Sequence, residues 1–447
     1  MSWCENSLRG FFLSRRIAVV GGGIAGLTAA FRACNAGHSV TLYEPGPLGG
    51  LIRSRRVNEH LCECGPNVIL SKPSMMALIE AVGLSDNVVR PSVMPYRQYV
   101  WYKGKPSAVP KSPGLLLGTD LVPLTDKLLL PLRAFKKRHV FSSLEDESIA
   151  DFLARIVGRS AVSRMIAPAL RGIVGGDVTQ LSARSFFPDL YRTVRSGGSF
   201  VDYLRSRRGV ARAEVFTLKD GIESLIQALI KTMAGKVAIR KDSVCSVEQR
   251  MPGGGFNVQM ENGGLEYFDE VALSVPARQT LEMVSALSPE LARLLAGVNS
   301  VSLAALHFSV DAAVSLPERG FGVLFPKEES LEMCGVMFNS VLFPHVAPPG
   351  KHVLTVVAAG SAVVEKPDEV LGNEGQQWLK QRFGIPQSDF LGCAKWPMAI
   401  PQYRVGHWKV VEAIEAVEKK FPGIHFLGSY RGGVGVPDRV SVSEGRW

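Results

Sequence analysis

Three glycines and one acid are the residues of this chain that predict the most specific chemistry. Gly21, Gly23 and Gly26 have the spacing GxGxxG, in which the glycines permit a tight turn, the approach of a pyrophosphate and close helix–strand packing. Glu44 follows them by about 20 residues, where a carboxylate can accept hydrogen bonds from both ribose hydroxyls. Because an acid there favours a ribose without a 2′-phosphate, the four residues predict a site for FAD or NAD.

The segments around these residues have the pattern of a strand, a helix and a second strand. Residues 17–20 are a short apolar run rich in β-branched side chains, residues 24–36 are rich in alanine, and residues 39–44 carry the acid at their end. Ile24 and Ala25 begin the helix, where unpaired backbone N–H groups favour an anion. The alternative is an ordinary βαβ unit with glycine turns and no nucleotide.

A second glycine pair, Gly49 and Gly50, follows Glu44 after one turn. It would bring another stretch of backbone close to the diphosphate. This addition resembles the flavin-bearing amine oxidase and phytoene desaturase superfamily, and the resemblance implies that the cofactor is FAD. It also implies that the FAD site includes further residues, namely Arg53, Gly65, Pro66, Asn67 and Val244.

The composition limits the classes of protein and partner. The chain has 447 residues, too many for one core, and it carries a net charge of +10. We find no nucleic-acid module with interleaved aromatic residues, so nucleic acid is not an expected partner. The partners that the positive charge still favours are an anionic membrane surface and an anionic substrate. The basic residues cluster at 133–138 and 205–212, which favours the membrane surface.

The cysteines and the apolar runs indicate a reducing compartment without a membrane span. Seven cysteines have irregular spacing, and the pair Cys62 and Cys64 lacks the spacing of a metal site, so no metal is expected. No run reaches the roughly 18 apolar residues of a spanning helix. Residues 1–16 are interpreted as a disordered leader and not as a signal peptide. We expect a cytoplasmic protein, with a peripheral position on the inner face of the membrane as the alternative.

Residues 112–140 have a different texture from the rest of the chain. They combine leucine runs, three prolines and the basic run 136–139. Short apolar helices with a basic flank are typical of segments that lie in the membrane interface. The alternative is a buried helical insertion with a solvated basic end.

The end of the chain carries a third glycine-rich turn. A short apolar strand ends at Gly428, and Gly435, Val436 and Pro437 lead into a final helix. Such a turn would place backbone N–H groups at the ribityl chain or the ring edge of a flavin. A simple terminal turn is the alternative.

Four longer segments resemble the protoporphyrinogen oxidase family. They are residues 171–177, 320–326, 393–407 and 429–438, which keep the family's order along the chain. The glycine motif and Glu44 belong to the wider superfamily, whereas the PQY and GVGVPD segments are more particular.

The resemblance implies an α/β fold in three parts: a discontinuous Rossmann-like FAD-binding domain, a mixed-sheet substrate domain and an inserted helical membrane-binding domain. The expected boundaries are 15–72, 212–282 and 415–447 for the FAD domain, 73–95 and 283–414 for the substrate domain, and 96–211 for the largely helical insertion.

The resemblance also implies oxidation of protoporphyrinogen IX to protoporphyrin IX in haem biosynthesis. Six electrons would leave in three two-electron steps to FAD, with dioxygen or another acceptor at the end. The alternatives are the same chemistry on coproporphyrinogen III, a different flavin oxidase of the amine-oxidase type, and a flavoprotein without turnover. The family identifies no acid–base residue here, and the oligomeric state stays open, with a homodimer as one possibility.

Five residues are candidates for contact with the porphyrinogen. The family places a propionate-binding arginine where this chain has Gln98, with Arg97 beside it. Neighbours on a strand point to opposite faces, so Arg97 would serve only if the strand bulges. Gly175 matches a backbone position of the family's substrate pocket. Leu324 and Phe338 are candidate apolar walls, with plain core residues as the alternative.

Overall fold

The computed structural model describes residues 14–136, 145–209, 213–250 and 254–447. Most of the predicted leader, the end of the basic run 136–139 and residues 210–212 of the second basic cluster lie outside the described residues.

The described residues form twenty strands, which belong to five sheets. Their bounds are β1 Arg16–Val20, β2 Ser39–Tyr43, β3 Ser54–Val57, β4 His60–Glu63, β5 Ile69–Leu70, β6 Val88–Val89, β7 Arg97–Tyr102, β8 Lys105–Ala108, β9 Val215–Leu218, β10 Val237–Arg240, β11 Val244–Gln249, β12 Phe256–Met260, β13 Leu265–Phe268, β14 Glu270–Leu273, β15 Ser300–Asp311, β16 Gly320–Leu324, β17 Met333–Met337, β18 Lys351–Ala359, β19 Asp389–Pro401 and β20 Ile424–Phe426.

Eighteen α-helices connect or cover these strands in the described part of the chain, and the segment Val162–Ile166 forms a π-helical turn between two of them. Their bounds are α1 Ile24–Asn35, α2 Pro73–Ala81, α3 Pro113–Gly118, α4 Leu124–Phe135, α5 Ile149–Val157, α6 Arg159–Ala161, α7 Ala167–Val174, α8 Ala183–Phe186, α9 Pro188–Arg195, α10 Phe200–Ser206, α11 Glu223–Met233, α12 Ala277–Val284, α13 Pro289–Ala296, α14 Asn339–Leu342, α15 Ser361–Glu365, α16 Asp368–Phe383, α17 Trp408–Lys420 and α18 Val436–Ser441.

A parallel five-stranded sheet is built from distant parts of the chain. Its order is β10-β2-β1-β14-β20, and every pair is parallel. β1 is buried along Ile17 to Val20, as a central parallel strand requires. α1 and α11 pack on one face in an apolar core, and the hairpin of β11 and β12 joins a second core on the other face. The predicted α/β class with a Rossmann-like domain is confirmed.

A mixed seven-stranded sheet has the order β19-β15-β18-β17-β16-β7-β8. α16 covers one face through Trp378 and Leu379, which share a core with Val323 and Val336 of the sheet. The hairpin of β7 and β8 is part of this sheet, through parallel pairing of β7 with β16. The helices of the predicted insertion therefore follow this hairpin, and the first of them is α3.

The segment after Ala108 is mostly helical, from α3 to α10. α5 to α9 share a small apolar core that includes Phe152 and Tyr191. α4, by contrast, buries none of its side chains. None of the helices that the structure describes combines the length and apolarity needed to cross a bilayer.

Candidate cofactor and active site

The turn between β1 and α1 has the geometry of an anion-binding cradle. A Cβ at Gly26 would collide with the carbonyl oxygen of Gly21, so helix and strand touch through a glycine. A Cβ at Gly23 would meet nothing within 4 Å, which leaves open space at the helix start. Gly23 caps α1 without a side-chain hydrogen bond, and the first turn, with Ile24 and Ala25, contains no acid. The N–H groups there are therefore oriented for an external anion.

Glu44 lies at the carboxyl end of β2 and is half-buried. Its Oε2 accepts a hydrogen bond from the backbone N–H of Gly22 at 2.7 Å, and its Oε1 accepts one from Gly46 at 2.9 Å. These bonds fix the carboxylate beside the glycine turn and leave further lone pairs for ribose hydroxyls.

The second glycine pair lies against the first. Gly49 and Gly23 form an isolated parallel bridge, and the N–H of Gly49 donates to the carbonyl of Gly22 at 2.8 Å. A Cβ at Gly50 would be 3.3 Å from the Cα of Gly23. The structure thus brings Gly21 to Gly26, Glu44 and Gly49 to Gly50 to one end of the parallel sheet.

Residues 65–67 lie where the parallel sheet meets the mixed sheet. A Cβ at Gly65 would collide with the carbonyl of Leu51. Asn67 accepts a hydrogen bond from the side chain of Asn339 at 2.7 Å, and Trp396 donates its indole N–H to the carbonyl of Cys64 at 2.6 Å. Pro66 lies half-buried between them.

Two other predicted cofactor residues have different surroundings. Arg53 is half-buried and donates to the carbonyl of Pro47 at 3.3 Å. Val244 begins β11 and is buried in the core shared with Tyr43 at the end of β2.

Glu63 is a buried acid next to this junction. It accepts hydrogen bonds from Ser54 at 2.6 Å and from the N–H of Ile222 at 2.8 Å. Burial nevertheless raises its pKa to about 7, so this carboxyl is partly protonated near neutral pH.

The C-terminal turn is held by one salt bridge and one buried arginine. The N–H of Gly435 donates to Asp438 at 3.2 Å, and Lys72 pairs with Asp438 at 2.5 Å. Arg439 donates to the carbonyls of Leu427 at 3.1 Å, of Gly428 at 2.8 Å and of Gly432. Val436 and Pro437 are buried behind the turn.

One face of the mixed sheet brings together three of the predicted substrate residues. Val323 and Tyr99 point into the core under α16, so their neighbours Leu324 and Gln98 point to the opposite face. α7 lies on that face, because a Cβ at Gly172 would collide with Leu324. Gly175 follows α7 in the left-handed region, with φ +66°, against Val301 and Leu303 of β15.

Arg97 and Phe338 are not on this face. Arg97 is exposed and pairs with Glu318 at 3.6 Å. The bulge of this region is in β16, between Gly320 and Gly322, so β7 itself does not turn Arg97 over. Phe338 is fully buried and packs edge-on against Phe383 of α16, with ring centroids 6.0 Å apart. The structure therefore places Phe338 in the core, as the alternative interpretation expected.

Two arginines near the site were missed by sequence analysis. Arg164 lies in the π-helical turn, with its guanidinium 4.9 Å from the ring centre of Tyr102, whose position on β7 is on the face of Gln98. Arg439 holds the C-terminal turn. Both lack a sequence signal, because their partners are a distant ring and distant carbonyl groups. No group of three or more metal-ligating side chains occurs in the described ranges.

A family model described as flavin containing amine oxidoreductase matches residues 24–438. The chain belongs to this family. Among its relatives, coproporphyrinogen III oxidase of Bacillus subtilis is 26% identical over 461 residues, covering 96% of both chains. Protoporphyrinogen oxidase of Homo sapiens is 29% identical over 453 residues, covering 90% of this chain and 91% of the relative. A crystal structure of a protein from Exiguobacterium sp. 255-15 has a TM-score of 0.79 and 25% identity, covering 96% of this chain and 97% of the other.

The cofactor of this flavin-containing oxidoreductase is FAD. The residues present fit it: the open space at Gly23 and the uncapped start of α1 suit the pyrophosphate, and Glu44 suits the ribose. Glycine at position 26 is required because any side chain would collide with Gly21. The predicted cofactor is thereby confirmed, whereas the individual contacts are proposals.

Proposed function

We propose that this protein oxidises protoporphyrinogen IX to protoporphyrin IX with FAD, in haem biosynthesis. The observation that carries the proposal is the nearly full-length match to relatives whose names are protoporphyrinogen and coproporphyrinogen oxidase. Leu324, Val301 and Leu303 support it, because they are apolar and only half-buried where α7 meets the sheet. Their open sides can form an apolar wall for a flat macrocycle.

FAD held at the glycine turns would supply the redox chemistry, a transfer of six electrons in three two-electron steps. Each step removes two hydrogen atoms from the porphyrinogen, and dioxygen is the proposed final acceptor, which would leave as hydrogen peroxide. The chain's own residues hold the macrocycle and exclude water from one side of it. Gly172 and Gly175 permit α7 to pack directly on Leu324 and Val301, so the proposed slot for the macrocycle lies beside this contact.

Arg164 is the residue that we propose for pairing with a propionate of the substrate. Gln98 carries no charge and Arg97 points away, so neither supplies the cation that a carboxylate needs. Arg164 lies on the face of Gln98, over Tyr102, and donates to the carbonyl of Leu121 at 3.3 Å. Both substrates carry propionates, two in protoporphyrinogen IX and four in coproporphyrinogen III, so the activity test below decides between them.

The test is the growth of porphyrin fluorescence in air, with the purified holoenzyme offered each porphyrinogen in parallel against enzyme-free controls. Faster gain with protoporphyrinogen IX supports the proposal, and faster gain with coproporphyrinogen III assigns the second substrate. No gain with either, while hydrogen peroxide and oxygen uptake also stay at background, would contradict porphyrinogen oxidation with dioxygen.

We also propose the FAD contacts and the domain boundaries given by the sequence, with the helical part beginning after Ala108. The proposed FAD contacts are Gly21, Gly23, Ile24, Ala25, Gly26, Glu44, Gly49, Gly50, Arg53, Gly65, Pro66, Asn67, Val244, Gly428, Gly435, Val436 and Pro437.

The exposed leucines of α3 and α4 support a proposed membrane contact. On α4, Leu124, Leu128 and Leu132 are 69%, 68% and 70% exposed and recur every fourth residue, so they line one side of the helix. On α3, Leu115 and Leu117 are 61% and 73% exposed. An apolar side of this size fits the acyl boundary of a bilayer, next to the predicted basic run.

Co-sedimentation with anionic vesicles tests this contact. The double variant Leu128→Glu/Leu132→Glu should stay in the supernatant, while the wild type sediments. Leu331→Glu is the matched control, because Leu331 is 76% exposed but lies on the loop before β17. Equal sedimentation of all three proteins would contradict the membrane contact.

A further inference from the structure

Arg439 is a buried cation whose charge is not balanced by the residues around it. The residue is 7% exposed, and its guanidinium donates to three backbone carbonyls among the described residues. Within the part of the chain that the structure describes, Arg439 forms no ion pair, and its Nε has no hydrogen-bond partner. A buried charge without a counter-charge is costly, so its presence needs a reason.

The titratable neighbours of Arg439 do not supply the missing negative charge. Burial raises the pKa of Tyr403 and of Tyr430 far above neutral, so both phenols are uncharged. Asp438 is an acid whose charge acts on Arg439, but it already pairs with Lys72 at 2.5 Å and accepts from Gly435. Arg431 adds a further positive charge, which its salt bridge with Glu418 at 2.7 Å compensates.

The position of Arg439 relates this charge to the cofactor. The three carbonyls belong to Leu427, Gly428 and Gly432, the end of β20 and the middle of the glycine-rich turn. This turn is the one proposed to contact the ribityl chain or ring edge of FAD. The guanidinium therefore lies against the backbone of the turn that is proposed to face the flavin.

A bound FAD would, on reduction, carry the negative charge that this site lacks. Neutral oxidised FAD takes up two electrons and one proton at neutral pH, and the product is an anion whose charge lies on the N1–C2=O side of the ring. In the proposed reaction the porphyrinogen supplies both electrons and two protons, of which one goes to the flavin and one to solvent. A standing positive charge nearby stabilises the anion and raises the reduction potential.

We propose that Arg439 is a positioning and charge-compensating residue that stabilises the reduced, anionic FAD through the C-terminal turn. This inference rests on the proposed placement of FAD at residues 428–437, but it does not depend on which substrate reduces the flavin. Arg439 thus favours the uptake of electrons from a porphyrinogen.

The test compares three holoenzyme variants by the midpoint potential of the bound flavin, measured without any porphyrinogen. Arg439→Met should lower the equilibrium constant for reduction tenfold or more, which is about 30 mV for a two-electron couple. Arg439→Lys keeps the charge and should remain within threefold of the wild type. Arg431→Met is the control, because it removes an arginine of the same turn that is paired with Glu418, and it should leave the potential unchanged.

Sulfite binding gives a second measurement on the same proteins. Sulfite adds to N5 of the oxidised flavin and leaves negative charge on the N1–C2=O side. Its dissociation constant should rise tenfold or more in Arg439→Met and stay within threefold in Arg439→Lys. A purely structural role would instead lower the melting temperature of both variants equally without a change in potential or in sulfite affinity, and that result would overturn the proposal.

If Arg439→Met does not retain FAD, the proposal is tested on the wild-type protein, by the pH at which its reduced flavin is protonated. The absorption spectrum of its reduced flavin should remain that of the anion at a pH where free reduced FAD has become neutral. Protonation at the same pH as in free FAD would overturn the role of Arg439. Because none of these measurements uses a porphyrinogen, their failure is distinguishable from a failure of the proposed oxidation.

Discussion

Glu44 has two tasks at once in this structure. It fixes the backbone of Gly22 and Gly46 through short hydrogen bonds, and its remaining lone pairs are proposed to accept the ribose hydroxyls. Its position could be predicted from sequence, because the distance from the glycines follows from one helix and one strand. Its bond to Gly22 could not, since it depends on the orientation of the carboxylate in the folded turn.

We expect Glu44→Ala to weaken FAD binding by about 10- to 100-fold, because a hydrogen bond to a charged group contributes about 1.5–3 kcal/mol. The measurement is the flavin-to-protein ratio after dialysis, with Glu369→Ala on the exposed side of α16 as control. Full flavin content in Glu44→Ala would refute the ribose contact.

His307 makes the stability of the mixed sheet depend on pH. It is fully buried on β15 with Thr355 as its partner at 3.2 Å, and burial lowers its pKa from 6.5 to about 3. Between these values the unfolded chain binds a proton that the folded chain does not. The free energy of unfolding therefore falls as the pH falls from 6.5 towards 3, by up to about 1.4 kcal/mol per unit.

The variant His307→Gln should show a shallower loss of stability between pH 6 and pH 4 in denaturant titrations. The wild type, titrated in parallel at each pH, gives the reference slope. An unchanged slope in His307→Gln would mean that other groups cause the acid sensitivity.

At the scale of elements, the sequence pattern predicted those strands and helices that interactions between residues close in sequence determine. The run of β1, α1 and β2 and the hairpin of β11 and β12 follow from periodicity and glycine turns. The side of a strand that faces its packing partner was harder to predict from sequence. Phe338 and Leu324 look equivalent as apolar residues, yet Phe338, which follows β17, packs against α16, whereas Leu324 of β16 faces α7. The sequence does not show which helix covers each face until the sheet is assembled.

The close contact of α7 with the sheet predicts a sharp difference between two glycines of positive φ. Gly175→Ala introduces backbone strain at φ +66° and a collision with Val301, whereas Gly37→Ala, at φ +89°, meets open space. We expect about 1–2 kcal/mol of destabilisation from strain alone in Gly37→Ala, and more in Gly175→Ala. Thermal unfolding of both variants measures this destabilisation.

The KM for the porphyrinogen should also respond to the change at Gly175, but not to the change at Gly37. Gly175→Ala should raise the KM for the porphyrinogen while flavin content stays full, because the change lies on the slot and outside the glycine turns. A normal KM in a folded Gly175→Ala protein would argue against the proposed slot beside α7.

At the scale of the molecule, the parallel sheet draws its strands from residues 16–20, 39–43, 237–240, 270–273 and 424–426. Such long-range assembly was inferred from the family resemblance and not from periodicity. The place of the hairpin of β7 and β8 in the mixed sheet has no local signal at all, since its partner β16 lies some two hundred residues later in the chain.

Because the proposed FAD contacts come from both ends of the chain, binding should stabilise both together. Hydrogen exchange of the apoprotein and of the FAD-loaded protein should show protection at 21–26 and 433–437 in parallel. At a free FAD concentration of 100 times Kd, the gain in stability is about 2.7 kcal/mol. Protection of the first segment alone would contradict the proposed role of the C-terminal turn.

The late arrival of β20 has a consequence during protein synthesis. β14 pairs with β1 on one side, and its other edge is covered by β20, which follows it by about 150 residues. While the ribosome makes those residues, β14 has one unpaired edge. Its residues Val271, Ala272 and Leu273, which are buried in the finished sheet, would then be exposed. A nascent chain in this state is open to pairing with a neighbour on the same polysome, so chaperone supply during translation should limit the yield of this protein more strongly than the stability of the finished fold.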